Sequence, residues 1–193
     1  MSFTKFKRWF AILACAAFGG ACMDYGPYEV EDFGITGSGL FITNEGNFMY
    51  GNASLSYYDP EKKQVENEIF FRANGFKLGD VAQSITLING KYFVAMNNSK
   101  KIEIIDPVTF KSVGTILYTQ AGYPRQVVPI SSTEAVVSDL NRQLVRIRTV
   151  APYGKPLEYI SIPRWVEYLV VAENKVFGMT QGGLYVFDAD NIK

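Results

Sequence analysis

About every 40 residues this chain repeats a strand-rich unit, and that period constrains the fold more than any single residue does. Four short apolar runs mark it: residues 39–45 (GLFITNE), 91–97 (KYFVAMN), 134–139 (EAVVSD) and 175–180 (KVFGMT). After a turn, each is followed by a second β-rich run: 54–59 (SLSYYD), 101–106 (KIEIID), 143–148 (QLVRIR) and 184–188 (LYVFD). Phe93, Ala135 and Val176 align at spacings of 42 and 41 residues. A unit this short cannot bury its own apolar face, so it must stack on its neighbours. Radial stacking of four-stranded sheets gives an all-β fold, a β-propeller of four-stranded blades with about four repeats present. A β-sandwich rarely repeats its own pattern, and a β-helix repeats on a shorter period.

The units can be walked in order. In the first, a third strand is expected over residues 65–71, before a loop to Asp80. The second is the most regular: residues 81–88 form an inner strand, Asn89-Gly90 a hairpin turn, 92–96 and 102–105 the middle strands, and 113–117 the outer strand. The third starts at Gln126 and the fourth near Val166, and the fourth has no outer strand of its own. An incomplete last blade, with no segment to close the first, reads as the N-terminal part of a larger propeller of about seven blades. Asp59, Asp106 and Asp188 close three of the second runs and suit turn-capping, where a carboxylate accepts backbone N–H groups.

Composition narrows the chemistry. The chain has no His, which excludes His metal ligands, a His general base and Ser-His-Asp triads. No cofactor or metal site is expected, and no catalytic residue. The 19 basic and 19 acidic residues balance, but Lys5, Lys7 and Arg8 sit in an N-terminal leader; the rest carries 16 basic and 19 acidic residues, a net of −3. Such a surface does not seek nucleic acid.

Residues 1–21 read as a secretory signal: a basic start, an apolar stretch over 9–18 and small residues (GGA) before Cys22. The apolar run is shorter than the roughly 20 residues needed to span a bilayer. Small residues ending in Cys resemble a bacterial lipobox, which makes Cys22 the lipidation site; Cys15, after ILA, is the rival position. Both of the chain's cysteines lie here, so cleavage before Cys22 leaves an exported domain with neither a free thiol nor a disulfide. Residues 22–38 form an acidic tether, with four acidic residues and a Pro in MDYGPYEVED, and the repeats occupy 39–193.

The stretch 91–116 (KYFVAMNNSKKIEIIDPVTFKSVGTI) resembles the YVTN/YncE-like propeller repeat. LFITNEGN at 40–47 with ASLSYYDP at 53–60 is similar to the opening blade of Bacteroidota surface lipoproteins of this class. The resemblance implies a cell-surface, lipid-anchored outer-membrane protein. It would bind a nutrient, cobalamin-like or glycan, and hand it to a TonB-dependent transporter, without catalysis. The acidic tether after Cys22 resembles the surface-export signal of those lipoproteins. Two other functions compete: a lactonase-like propeller hydrolase, and a protein-binding scaffold or adhesin.

Candidate ligand-binding residues follow from the expected geometry, because loops leading into equivalent inner strands converge on one mouth of the channel. Pro124-Arg125 and Pro163-Arg164-Trp165 recur 39 residues apart in such loops. With Tyr123, they offer planar donors and flat apolar faces to a macrocycle or sugar ring. The plainer alternative is that the arginines pair with acids on neighbouring blades and Trp165 packs between blades. The turn NEGNFMYGN at 44–52 is longer than the about two to five residues of an ordinary hairpin and presents Phe48 and Tyr50.

Overall fold

The computed structural model describes residues 39–192; the leader, Cys15, Cys22 and the tether lie outside the described residues. Among the described residues, fourteen strands make four small antiparallel sheets in chain order, with one short helix after the first. The first holds β1 (Leu40–Asn44), β2 (Ser54–Asp59) and β3 (Gln64–Glu66), followed by α1 (Ile69–Asn74). The second holds β4 (Ala82–Ile88), β5 (Lys91–Met96), β6 (Lys101–Ile105) and β7 (Ser112–Leu117). The third holds β8 (Pro124–Pro129), β9 (Glu134–Asp139), β10 (Gln143–Arg148) and β11 (Glu158–Ser161), and the fourth β12 (Tyr168–Ala172), β13 (Lys175–Thr180) and β14 (Gly183–Asp188). Each sheet is a simple meander, so every strand pairs with its sequence neighbour. The all-β class and the 40-residue module are as the sequence implies.

Turn chemistry sets the registers. Asn89 and Gly90 both have positive φ (50° and 69°), the geometry a two-residue hairpin requires, and join β4 to β5 with Ile88 opposite Lys91. Asp106 accepts the N–H groups of Val108 and Thr109, both at 3.0 Å, and so fixes the β6–β7 turn; Asp59 does the same for Glu61 (2.9 Å) and Lys62 (3.0 Å).

The expected third strand of the first unit is corrected. Pairing stops at Glu66, and residues 69–74 turn into α1. Glu68, at φ 55°, breaks the strand direction, and Ile69, Phe70 and Ala73 fall on one helical face that is buried. Gly75, at φ 73°, closes the helix with its N–H on the Phe71 carbonyl at 2.8 Å.

The core lies between sheets rather than within them. Leu55 and Tyr57 of the first sheet, with Phe70 of α1, pack on Val94, Met96 and Ile105 of the second. Phe93, Ala95, Ile102 and Ile104 of the second meet Val127, Val137, Val145 and Ile147 of the third. Val136 and Leu144 of the third meet Leu169 and Val176 of the fourth. In the second and third sheets alternate residues along a strand therefore serve alternate interfaces, which is why their middle strands read as continuous apolar runs. The first strands of successive sheets also lie against one another, β4 beside β8 and β8 beside β12.

Candidate functional site

That side-by-side placement of β4, β8 and β12 builds an open cleft of about 260 Å³. Its walls are Gln83 and Ser84, Arg125 and Gln126, and Glu167 and Tyr168. These are equivalent positions: 83, 125 and 167 are separated by 42 residues each, and so are 84, 126 and 168. Two adjacent positions of the repeat, each presented three times, make the site.

The backbone is irregular at these positions. β4 slips register against β5 between Ala82 and Ser84, and β8 against β9 between Pro124 and Val127. A bulge leaves residues out of the ladder and re-aims their side chains. Gln83, Arg125 and Gln126 are the residues released. Thr86 Oγ1, one turn of the pleat below, donates to the Val127 carbonyl at 2.9 Å and clips β4 to β8. Gln126 clips β8 to β12: its Oε1 accepts the Leu169 N–H at 2.7 Å, while its own N–H donates to Ser138 Oγ at 3.1 Å.

A polar chain crosses the mouth. Gln83 Nε2 donates to Glu45 Oε1 at 2.8 Å, and Arg125 Nη2 bonds Glu167 Oε1 across the third and fourth sheets. The plainer alternative raised for the arginines thus holds for Arg125, which is ion-paired while still lining the cleft. The pair cancels its own charge, so the cleft offers two amides, two hydroxyls and a neutralised ion pair. The half-exposed Tyr168 ring stands at its side.

The other predicted residues share this end of the sheets without lining the cleft. The Tyr123 N–H donates to Asp139 Oδ2 at 2.8 Å, and its ring lies 5.7 Å from the Lys100 ammonium. Asp139 is buried, and burial pushes its carboxyl up from the ordinary value against the pull of the Tyr123 and Asn141 N–H groups and of Gln143. The exposed Arg164 guanidinium lies over Gly182, in the β13–β14 turn, and Trp165 is half-buried.

Phe48 and Tyr50 are exposed on a held loop. The Met49 N–H donates to Asp80 Oδ2 at 2.8 Å, and the Tyr50 N–H to the Asn47 carbonyl at 3.0 Å. Asp80 itself is buried, receives Asn98 Nδ2 at 2.6 Å, and keeps its Oδ1 without a partner among the described residues. The loop backbone is therefore pinned beside the second sheet, while its aromatic side chains face outward at 59% and 74% exposure. Gln83, Ser84, Gln126, Glu167 and Tyr168 were missed in the sequence. The signal was the double 42-residue spacing of polar residues just where the apolar runs of the inner strands begin.

Comparison with known proteins gives a family and a fold. A family profile described as "Domain of unknown function (DUF5074)" matches residues 38–193. No curated protein matches. Among solved structures, the chain is similar to a functionally unknown protein from Desulfotomaculum acetoxidans at 14% identity and a TM-score of 0.57, covering 77% of this chain and 48% of that one. It is also similar to a hydrazine synthase from Kuenenia stuttgartiensis at 11% identity and a TM-score of 0.56, covering 71% and 40%. The chain spans less than half the length of either structure, and at these identities the likeness concerns the fold alone.

Proposed function

The chain belongs to the DUF5074 family, and from that premise we propose a non-catalytic binding protein whose sheets are blades of a β-propeller. It is a YVTN/YncE-like surface lipoprotein, anchored through Cys22 on the outer membrane. It captures a nutrient, cobalamin-like or glycan, at the mouth of the blades and passes it to a TonB-dependent transporter. One observation carries this reading: Gln83, Arg125 and Glu167, with Ser84, Gln126 and Tyr168, bring the same two adjacent repeat positions to one cleft, and bulges turn two of the three strands toward it.

The chemistry of the cleft fits an uncharged ligand rich in hydroxyl or amide groups. Gln83 and Gln126 each donate and accept, and Tyr168 supplies a flat face for a ring. The pinned loop carrying Phe48 and Tyr50 stands at the same end and suits either the ligand's apolar face or the transporter.

The test is calorimetry of the full chain against cobalamin and a panel of oligosaccharides. Saturable heat with one class is expected, weakened at least tenfold by Gln83→Ala with Gln126→Ala. Arg164→Ala and Trp165→Ala should weaken it less, since neither residue lines the cleft, and should leave the melting temperature nearly unchanged. Silence with every probe defeats nutrient capture.

A further inference from the structure

The first unit departs from the repeat, and the departure leaves a second hollow. β2 has six residues, but its ladder with β3 covers only Tyr57, Tyr58 and Asp59. In the second sheet the corresponding strands, β6 and β7, pair from Lys101 to Ile105. The difference arises at Asn67 and Glu68. Asn67 Oδ1 accepts the Ser56 hydroxyl at 2.9 Å, and Glu68, at φ 55°, carries the chain away into α1. After α1 the chain rejoins β2 at Ala53, whose N–H donates to the Gly79 carbonyl at 3.0 Å. Between these two attachments the edge of β2 faces α1 and the residues after it rather than a strand. A pocket of about 90 Å³ remains there.

The pocket has an apolar floor and a polar rim. Ala53, Phe70 and Leu78 are buried beneath it, and the half-buried Phe71 forms one side. Glu68 and Lys77 stand at the rim, both exposed and of opposite sign, and no ion pair engages either among the described residues. Asn52 Oδ1 accepts the Asn47 N–H at 2.8 Å, which leaves its Nδ2 to donate. Ser54 Oγ accepts Asn44 Nδ2 at 3.1 Å, which leaves its hydroxyl proton to donate. The rim therefore presents one carboxylate and three donors, one of them cationic, above an apolar hollow. No residue of this pocket lines the cleft between β4, β8 and β12.

We propose that this pocket binds a free α-amino acid with a branched aliphatic side chain. The Glu68 carboxylate takes the ligand's ammonium. Lys77, with Asn52 Nδ2 and the Ser54 hydroxyl, takes its carboxylate. The side chain descends onto Ala53, Phe70 and Leu78. Two unpaired charges of opposite sign at one rim match a ligand that carries both signs on neighbouring atoms, and hydrogen bonds to ionised groups are the strong ones. Size selects the side chain. An apolar cavity of about 150 Å³ admits benzene, so about 90 Å³ takes a valine or leucine side chain and refuses an aromatic ring. The amide of Asn52 also holds the base of the loop that carries Phe48 and Tyr50, so an occupant is felt at the Asn47 N–H. The site is independent of what the cleft binds.

The experiment titrates the full chain, in mild detergent, with leucine and with valine, followed by calorimetry and amide NMR. Saturable heat is expected, with shifts at the Ala53, Leu78 and Asn47 amides. N-Acetylleucine lacks the ammonium and leucinamide the carboxylate, so each should bind at least tenfold more weakly; phenylalanine should not bind. Glu68→Gln and Lys77→Met should each weaken leucine at least tenfold. Both side chains are exposed, so neither change should move the melting temperature. Gln83→Ala with Gln126→Ala should leave leucine binding intact, which separates this pocket from the cleft. No saturable heat with leucine or valine up to about 10 mM, well above a millimolar Kd, overturns the proposal. So does N-acetylleucine binding as tightly as leucine, or leucine shifts confined to residues 83–84, 125–126 and 167–168.

Discussion

The buried ion pair on β6 tests whether the sheets stack as described. Glu103 is 1% exposed and its Oε2 lies 2.6 Å from Lys101 Nζ, itself 16% exposed. Ser112 Oγ donates to its Oε1, and Thr115 Oγ1 bonds both carboxylate oxygens at 3.2 and 3.3 Å. Glu103 stands opposite Val94, on the side of the second sheet that meets the first sheet and α1. Asn74 of α1 reaches over this side, its Oδ1 accepting the Ser112 N–H at 2.8 Å and its Nδ2 donating to the Phe110 carbonyl at 2.8 Å. Breaking a buried pair costs about 3–5 kcal/mol, because the remaining charge is stranded. Lys101 retains some access to water, so Glu103→Ala is expected near the lower end, about 3 kcal/mol. Glu103→Gln keeps an acceptor for Ser112 and Thr115 and should cost about 1–2 kcal/mol. Lys101→Met with Glu103→Leu removes both charges and should stay within about 1 kcal/mol of the parent. Urea unfolding followed by tryptophan fluorescence reads all three, with a constant m-value as the check that the folded state is unchanged. An uncovered pair contributes only about 0–1 kcal/mol. A Glu103→Ala cost below 1 kcal/mol would therefore refute the packing of the first sheet and α1 over this face.

Three further outcomes are expected. The Thr109 N–H, aided by the Lys91 ammonium and the Val108 N–H and opposed by burial, lowers the Asp106 pKa from 3.8 to about 2. A depressed carboxylate stabilises above its unfolded value, so this contribution is complete above about pH 4 and fades as pH falls through 2; carboxyl NMR titration should place the midpoint there, and Asp106→Asn should flatten the acid limb of the stability curve. Asp139 runs the other way: its pKa is raised, so its burial destabilises progressively as pH climbs above the ordinary carboxylate value, and the same titration should show a midpoint above 3.8. Gly122→Ala places a Cβ 2.6 Å from the Tyr118 ring and 2.7 Å from Asp139 Oδ2, so it should destabilise by about 1–3 kcal/mol and shift the Tyr123 amide resonance as its bond to Asp139 yields.

The sequence carried the repeat because the middle strands of the second and third sheets are buried on both sides: runs such as KYFVAM have no alternation to blur, and Asn89-Gly90 and Asp106 punctuate them with turn chemistry. The first unit was harder to read. Val65, Ile69, Phe70 and Phe71 all favour strands, and the turn at Glu68 depends on a positive φ that no residue type there announces. The candidate site was half legible. Arg125 could be placed from its position before an inner strand, but its pairing with Glu167 needs the neighbouring sheet. Gln83 and Gln126 look like ordinary polar residues until the two register slips turn them into the cleft. Trp165 stood out by residue type, yet the cleft is lined by less conspicuous side chains.

Hydrogen–deuterium exchange of the full chain, alone and with saturating cobalamin or oligosaccharide, tests most directly whether the two adjacent repeated positions form one binding mouth. Simultaneous protection of residues 80–84, 122–126 and 164–168 is expected, with the loop at 46–50 following. Protection of a single segment, or of the opposite-end turns around Asn89, Ser132 and Asn174, would contradict it.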